Sequence, residues 1–234
     1  MLKKTIIWVC VFATAMGFME SAVVIYLREL YYKTGFDFPL RTIPPFIGRV
    51  EFLREAATII MLAGCGILAG KTRLQRFAYF VLAFAVWDLF YYVFLYACLG
   101  WPQSLATWDI LFLIPVPWVG PVWAPCLLSL LMIAGAVFVI VQTHKDPRYK
   151  VGPNLWWLII AGAFTCIVSF MLDYLDFTYD KNRMWGITSQ EALFSDISTY
   201  VPQHFNYPLF SIGFAFMLAA VSIAIYKSFN KTIL

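Results

Sequence analysis

The sequence predicts an all-α integral membrane protein, a six-transmembrane-helix bundle with a short re-entrant or interfacial helix between the third and fourth helices. Three observations lead there. The chain is 62% hydrophobic and only 13% charged, and its mean hydropathy is +0.77; a soluble domain of 234 residues has no interior large enough to hide that much apolar surface. Apolar runs recur near 5–27, 52–70, 77–99, 121–142, 155–173 and 207–226, each close to the roughly 20 residues a helix needs to cross hydrocarbon. Basic residues gather in alternate connections between those runs. Residues 1–234 read as a single polytopic domain.

The first run follows Lys3-Lys4 and carries Glu20. Its opening, Thr5 to Ala13 with the small triplet Ala13-Thr14-Ala15, also fits a secretory signal with a cleavage site. The apolar pattern continues to Leu27, which favours a retained span. The second run is entered through Arg49-Val50-Glu51-Phe52-Leu53-Arg54-Glu55. On a helix Glu51 and Glu55 share a face, Arg54 is within reach of Glu51, and Thr58 continues the Glu55 face one turn deeper. Acids in a first turn also complement the helix dipole, so part of this pattern has a purely structural explanation. Arg49 and Arg54 are the candidate partners that keep Glu20 ionised.

The third run places Asp88, Tyr92 and Tyr96 on one stripe, with Tyr91 beside it. Phenol hydroxyls donate to carboxylates, whereas Tyr96 fits an interfacial aromatic belt. From Ile110 to Gln142 the chain is apolar for longer than one span requires, and Pro115, Pro117, Gly120 and Pro121 break it. The sequence therefore predicts a short helix over 105–113, carrying Asp109 at the outer membrane surface, and then the fourth span. Irregular backbone at membrane depth is tolerated only against protein or a watery cavity, which makes this element a roof for a polar site. A plain interfacial anchor built on Trp101, Trp108, Trp118 and Trp123 is the competing reading.

The fifth run ends in Asp173 and Asp176, three residues apart on one face, followed by Asp180. Thr188-Ser189-Gln190-Glu191 is a capping-box pattern that predicts a short surface helix reaching about Tyr200. His204 and Asn206 precede Pro208 and the sixth run.

Lys3, Lys4, Lys71, Arg73, Arg76, Lys145, Arg148, Lys150, Lys227 and Lys231 all fall on one side of a six-span topology. The positive-inside rule makes that side cytoplasmic, with both termini inside; the expected location is the plasma membrane. Of the acids only Asp146 joins them. Glu20 and Asp88 instead sit within apolar runs, where an ionised carboxylate costs about 2.5–3.5 kcal/mol in lipid and so faces a bundle interior, a wet cavity or a partner.

Glu20, Glu55 and Asp88 are accordingly the candidate catalytic residues. Arg49, Arg54, Tyr92, Asp109, Asp173, Asp176 and His204 are the candidate substrate-binding residues. Carboxylates accept hard cations, but with two histidines and no H-E-x-x-H pattern no metal site is assigned. His144 belongs to a basic loop. Cys10, Cys65, Cys98, Cys126 and Cys166 lack C-x-x-C spacing and read as small core residues, with a Cys98–Cys126 disulfide as the alternative. No Walker loop or dinucleotide fingerprint is present, no motif identifies a cofactor, and nucleic-acid binding is unsupported.

Three function classes remain. The first is an intramembrane enzyme using carboxylate acid/base chemistry on a lipid, lipid-linked or amphipathic substrate that enters from the outer face. The second is a proton- or cation-coupled transporter of small solutes, a common use of intramembrane acids. The third is a structural or accessory subunit whose buried charges meet a partner protein in the bilayer.

Overall fold

The computed structural model describes residues 2–32, 35–41, 43–180 and 198–231. Its six long helices are α1 (Leu2–Tyr31), α2 (Pro45–Ala69), α3 (Arg73–Leu99), α4 (Trp123–Lys145), α5 (Pro153–Asp180) and α6 (Tyr207–Lys231). All six are long and apolar enough to cross a membrane, and the chain is a multi-pass integral membrane protein. The helices outrun the apolar runs because hydropathy marks hydrocarbon, while helical hydrogen bonding continues through polar turns such as Arg49–Glu55 and Asp173–Asp180. Local chemistry sets several ends. Thr72 accepts from the Gln75 amide at 3.2 Å while the Gln75 side chain accepts from the Lys71 amide at 2.8 Å, a reciprocal cap on α3. Gly100, at φ 64°, stops the same helix in the left-handed region. Asn206 caps α6 by accepting from the Leu209 amide at 3.0 Å.

Helix α3 is the central post. Half of its spanning window is buried, more than in any other helix, and it packs against α1, α2 and α4. Away from residue 100, its Leu82, Ala83 and Val86 meet Ala13, Leu62 and Ile140 in an apolar core. Helices α5 and α6 form a tight pair joined to the rest through α4 and the 108–121 segment.

Close helix approach is enforced by glycine. A Cβ on Gly162 would lie 2.7 Å from the Gly213 carbonyl oxygen, and a Cβ on Gly213 would lie 2.7 Å from that of Gly162. Gly213→Val is therefore expected to lower stability by about 1–3 kcal/mol through overpacking. Gly64, whose added Cβ meets nothing within 4 Å, supplies the control: Gly64→Ala leaves the thermal midpoint of the purified protein unchanged or higher. Equal midpoints for Gly213→Val and the wild type would refute the tight contact.

The expected helix over 105–113 is not present. In its place stands a two-stranded antiparallel hairpin, β1 (Trp108–Phe112) and β2 (Trp118–Pro121), pairing Asp109 with Gly120 and Ile110 with Val119, with an irregularity between Ile110 and Phe112. Pro115 and Pro117 lie in its connection, where no ladder donor is required of them. The two strands satisfy one another's backbone, which an isolated short helix followed by prolines would not achieve. Gly120 lets the hairpin lie against its neighbours, since a Cβ there would meet Phe170 of α5 at 2.9 Å and Phe205 at 3.2 Å. The expected surface helix of 188–200 lies mostly outside the described residues.

Candidate functional site

One face of α1 carries Glu20, Val24, Leu27, Arg28 and Tyr31, spaced by three and four residues so that all point the same way. They line a cavity of about 170 Å³ together with Glu51, Arg54 and Glu55 of α2, and Trp87, Asp88, Tyr91 and Tyr92 of α3. Asp109, Ile110, Leu111 and Leu113 of the hairpin segment, with Tyr32, Phe36, Leu40, Arg41 and Ile43 from between α1 and α2, complete the lining. The space suits several waters or a small polar head group.

Arg54 is the electrostatic hub. Its Nε and Nη2 donate to the two oxygens of Glu51 at 2.9 and 2.6 Å, and its Nη1 donates to Glu20 across to α1. Thr58 Oγ1 sits 3.5 Å from the same Nη1 and donates to the Arg54 carbonyl at 3.0 Å. A fork-shaped guanidinium suits this double duty because five N–H groups leave from one rigid plane. The isolated intramembrane acid of α1 thus has its counter-charge on α2.

The other acids are held by neutral donors. Glu55, buried, accepts from the Leu113 amide at 2.9 Å, tying the end of β1 to α2. Asp88 accepts from the buried Ser129 hydroxyl of α4 at 2.8 Å. Asp109 is 2% exposed and accepts from the Tyr92 hydroxyl at 3.2 Å. Burial pushes the Asp109 carboxyl up to about 6, against the opposing pull of the Arg28 charge and the Tyr92 donor.

That shift carries a sign. The folded protein holds the Asp109 proton more tightly than the unfolded chain does, so stability falls as pH rises from the ordinary carboxylate range to about 6. A shift of this size corresponds to about 3 kcal/mol. Asp109→Asn, which keeps the acceptor for Tyr92 and cannot ionise, should raise the thermal midpoint above pH 6 and flatten its slope between pH 4 and 6. An unchanged slope would mean that Asp109 is not the titrating group.

Of the residues nominated from sequence, Glu20, Glu55, Asp88, Arg54, Tyr92 and Asp109 line this one cavity. Others stand apart. Arg49 is exposed and does not line it. Asp173 accepts from the Tyr200 hydroxyl, from the Gln203 amide at 3.1 Å and from the His204 amide at 2.8 Å, pinning the approach to α6 onto α5. Burial and this carboxylate push the Tyr200 phenol up, so it remains a donor. The Asp176 and His204 side chains are exposed, and neither lines the cavity. Helix termini and loops set those positions, and a shared level along the sequence does not imply a shared pocket.

Arg28 was not nominated, although it lies eight residues beyond Glu20 on the same helical face. Hydropathy ends the first apolar run at Leu27, and one further turn of the helical period includes Arg28. All five cysteines are free. Among the described residues no group of three or more His, Cys, Asp or Glu side chains is arranged to hold a metal ion. No family model matches the chain, no curated protein matches it, and no solved structure does.

Proposed function

We propose that the protein is a membrane-embedded enzyme that applies carboxylate acid/base chemistry to a lipid or lipid-linked substrate. The observation that carries this reading is the one-sided distribution of polarity. Glu20, Arg54, Asp88 and Asp109 line a cavity toward the hairpin end, while beyond Asp88 the bundle is filled by the apolar core around Leu62, Leu82 and Ile140. A half-depth polar cavity serves chemistry on a membrane-resident molecule, whereas coupled transport needs polar groups continuing through the other half.

In this reading Asp88 and Asp109 exchange protons with substrate, each presented by a neutral hydroxyl donor, Ser129 or Tyr92. Glu20 is a positioning residue acting through Arg54, and Glu55 positions the hairpin through Leu113. The cavity opens to the outer leaflet of the plasma membrane, with both termini in the cytoplasm beside the basic connections.

The test incubates protein purified in native lipid with a total lipid extract and follows lipid species by mass spectrometry. Wild type should convert at least one species and Asp88→Asn should not. Asp88-dependent proton or cation flux in proteoliposomes without any conversion would overturn this reading in favour of transport. A stoichiometric protein partner released by Asp88→Asn would overturn it in favour of an accessory subunit.

A further inference from the structure

Three arginines line the cavity, Arg28, Arg41 and Arg54, and the two on helices α1 and α2 are in opposite situations. Arg54 is fully engaged by Glu20 and Glu51. Arg28 is 8% exposed, and its guanidinium carbon lies 3.8 Å from the Trp101 ring centroid and 4.3 Å from that of Phe36. Those two rings meet edge to face, 5.7 Å apart, so the guanidinium is cornered between roughly perpendicular surfaces. Aromatic faces hold a cation in place without occupying its N–H groups.

Among the described residues, three buried side-chain polar atoms have no hydrogen-bond partner: Arg28 Nε, Trp87 Nε1 and Trp118 Nε1. All three are donors, and Arg28 and Trp87 line the cavity. Asp109 feels the Arg28 charge, yet no described carboxylate lies within ion-pair distance of Arg28. Arg28 Nε and Trp87 Nε1 are sealed from the cavity, but the Arg28 side chain lines it, is held between two rings and makes no hydrogen bond to the described residues, so its outer guanidinium nitrogens are the ones arranged to receive acceptors from a ligand.

We propose that Arg28 is the anchor for an oxyanion, a phosphate ester or carboxylate, at the head of the amphipathic molecule that occupies this cavity. This deepens the enzyme reading by naming the substrate class, and it rests on that reading for the step that follows binding. The task expected of Arg49 and Arg54 passes to Arg28, because Arg49 lies outside the cavity and Arg54 is held by two carboxylates. The lining fits such a molecule: Arg28 sits one turn before the end of α1, and Val24, Leu27 and Leu111 add apolar wall to the same cavity.

Binding is measured on the full-length protein in neutral detergent by native mass spectrometry and by the thermal midpoint. The probes are dioctanoyl phosphatidic acid, dodecanoate, inorganic phosphate and dioctanoylglycerol. The anionic amphiphiles should bind and raise the midpoint, dioctanoylglycerol should not, and Arg28→Gln should weaken the anionic amphiphiles at least tenfold. Arg28→Lys, which keeps the charge but loses the planar fork, should fold and bind at least threefold more weakly than wild type, and it decides the matter if Arg28→Gln does not fold. Arg49→Gln should match wild type. Inorganic phosphate binding as tightly as the amphiphiles would assign the same anchor to a free anion instead of a lipid head group and overturn the amphipathic part of the proposal. Equal binding by wild type and Arg28→Lys, or no binding by any anionic probe, would overturn it entirely. Lipid conversion that persists without Arg28-dependent binding would refute the anchor and leave the enzyme reading standing; Arg28-dependent binding without conversion would do the reverse.

Discussion

Replacing Arg54 with Gln should destabilise the protein by about 3–5 kcal/mol, the cost of removing one partner from a buried ionic cluster. Arg54 is 20% exposed and its carboxylate partners Glu20 and Glu51 are 13% and 15% exposed, so water does little of the work that the guanidinium does. Without it Glu20 stands on α1 facing Glu51 on α2, two like charges with no cation between them. The hub also joins helices that touch little elsewhere, since α1 and α2 each pack chiefly on α3. The measurement is thermal or denaturant unfolding in a fixed detergent. Arg54→Lys should fall between wild type and Arg54→Gln, because an ammonium cannot keep the bidentate contact with Glu51 while reaching Glu20. Glu20→Gln in the Arg54→Gln background should recover part of the loss, giving a coupling of about 1–3 kcal/mol in a double-mutant cycle. Additive single effects would show that the two side chains do not interact.

That hub was half legible in the sequence. An acid inside an apolar run demands a counter-charge, and Arg54 was one of two arginines near enough along α2 to supply it; which of them did so depended on helix rotation. The six spans were legible because hydrocarbon thickness imposes a length on every apolar run. The hairpin was not. Trp108 to Phe112 is a short segment, apolar except for Asp109, whose pattern is compatible with strand or buried helix, and what makes it a strand is its pairing with Trp118 to Pro121 and the Glu55 acceptor just beyond it. Both are tertiary facts. The same holds for Asp173, whose amide partners at 203 and 204 come from the approach to another helix. Arg28 was hidden for a simpler reason: a span boundary drawn where hydropathy fades cuts off the turn in which polar residues face inward.

Asp109→Asn should lower turnover by about 10²–10⁴-fold, the range ascribed to a positioned general acid or base. Asn preserves the acceptor for Tyr92 and nearly the same volume, so the loss would come from proton transfer and not from packing. KM should change by less than about threefold if the head group is held by Arg28, since an interaction made only in the transition state lowers kcat and kcat/KM together. The pH profile gives the sharper reading. With Asp109 titrating at about 6, wild type should show a limb there, with activity rising through it if the ionised form acts as base and falling if the protonated form acts as acid. The limb should vanish in Asp109→Asn. A limb that survives, or a turnover within threefold of wild type, would remove Asp109 from the chemistry. The same substitution is expected to stabilise the fold above pH 6, because ionising a buried carboxylate is what the folded protein resists. A variant both more stable and less active is the signature of a group whose unfavourable burial is retained for function. A purely structural carboxylate would give the opposite pairing, with stability lost and turnover spared.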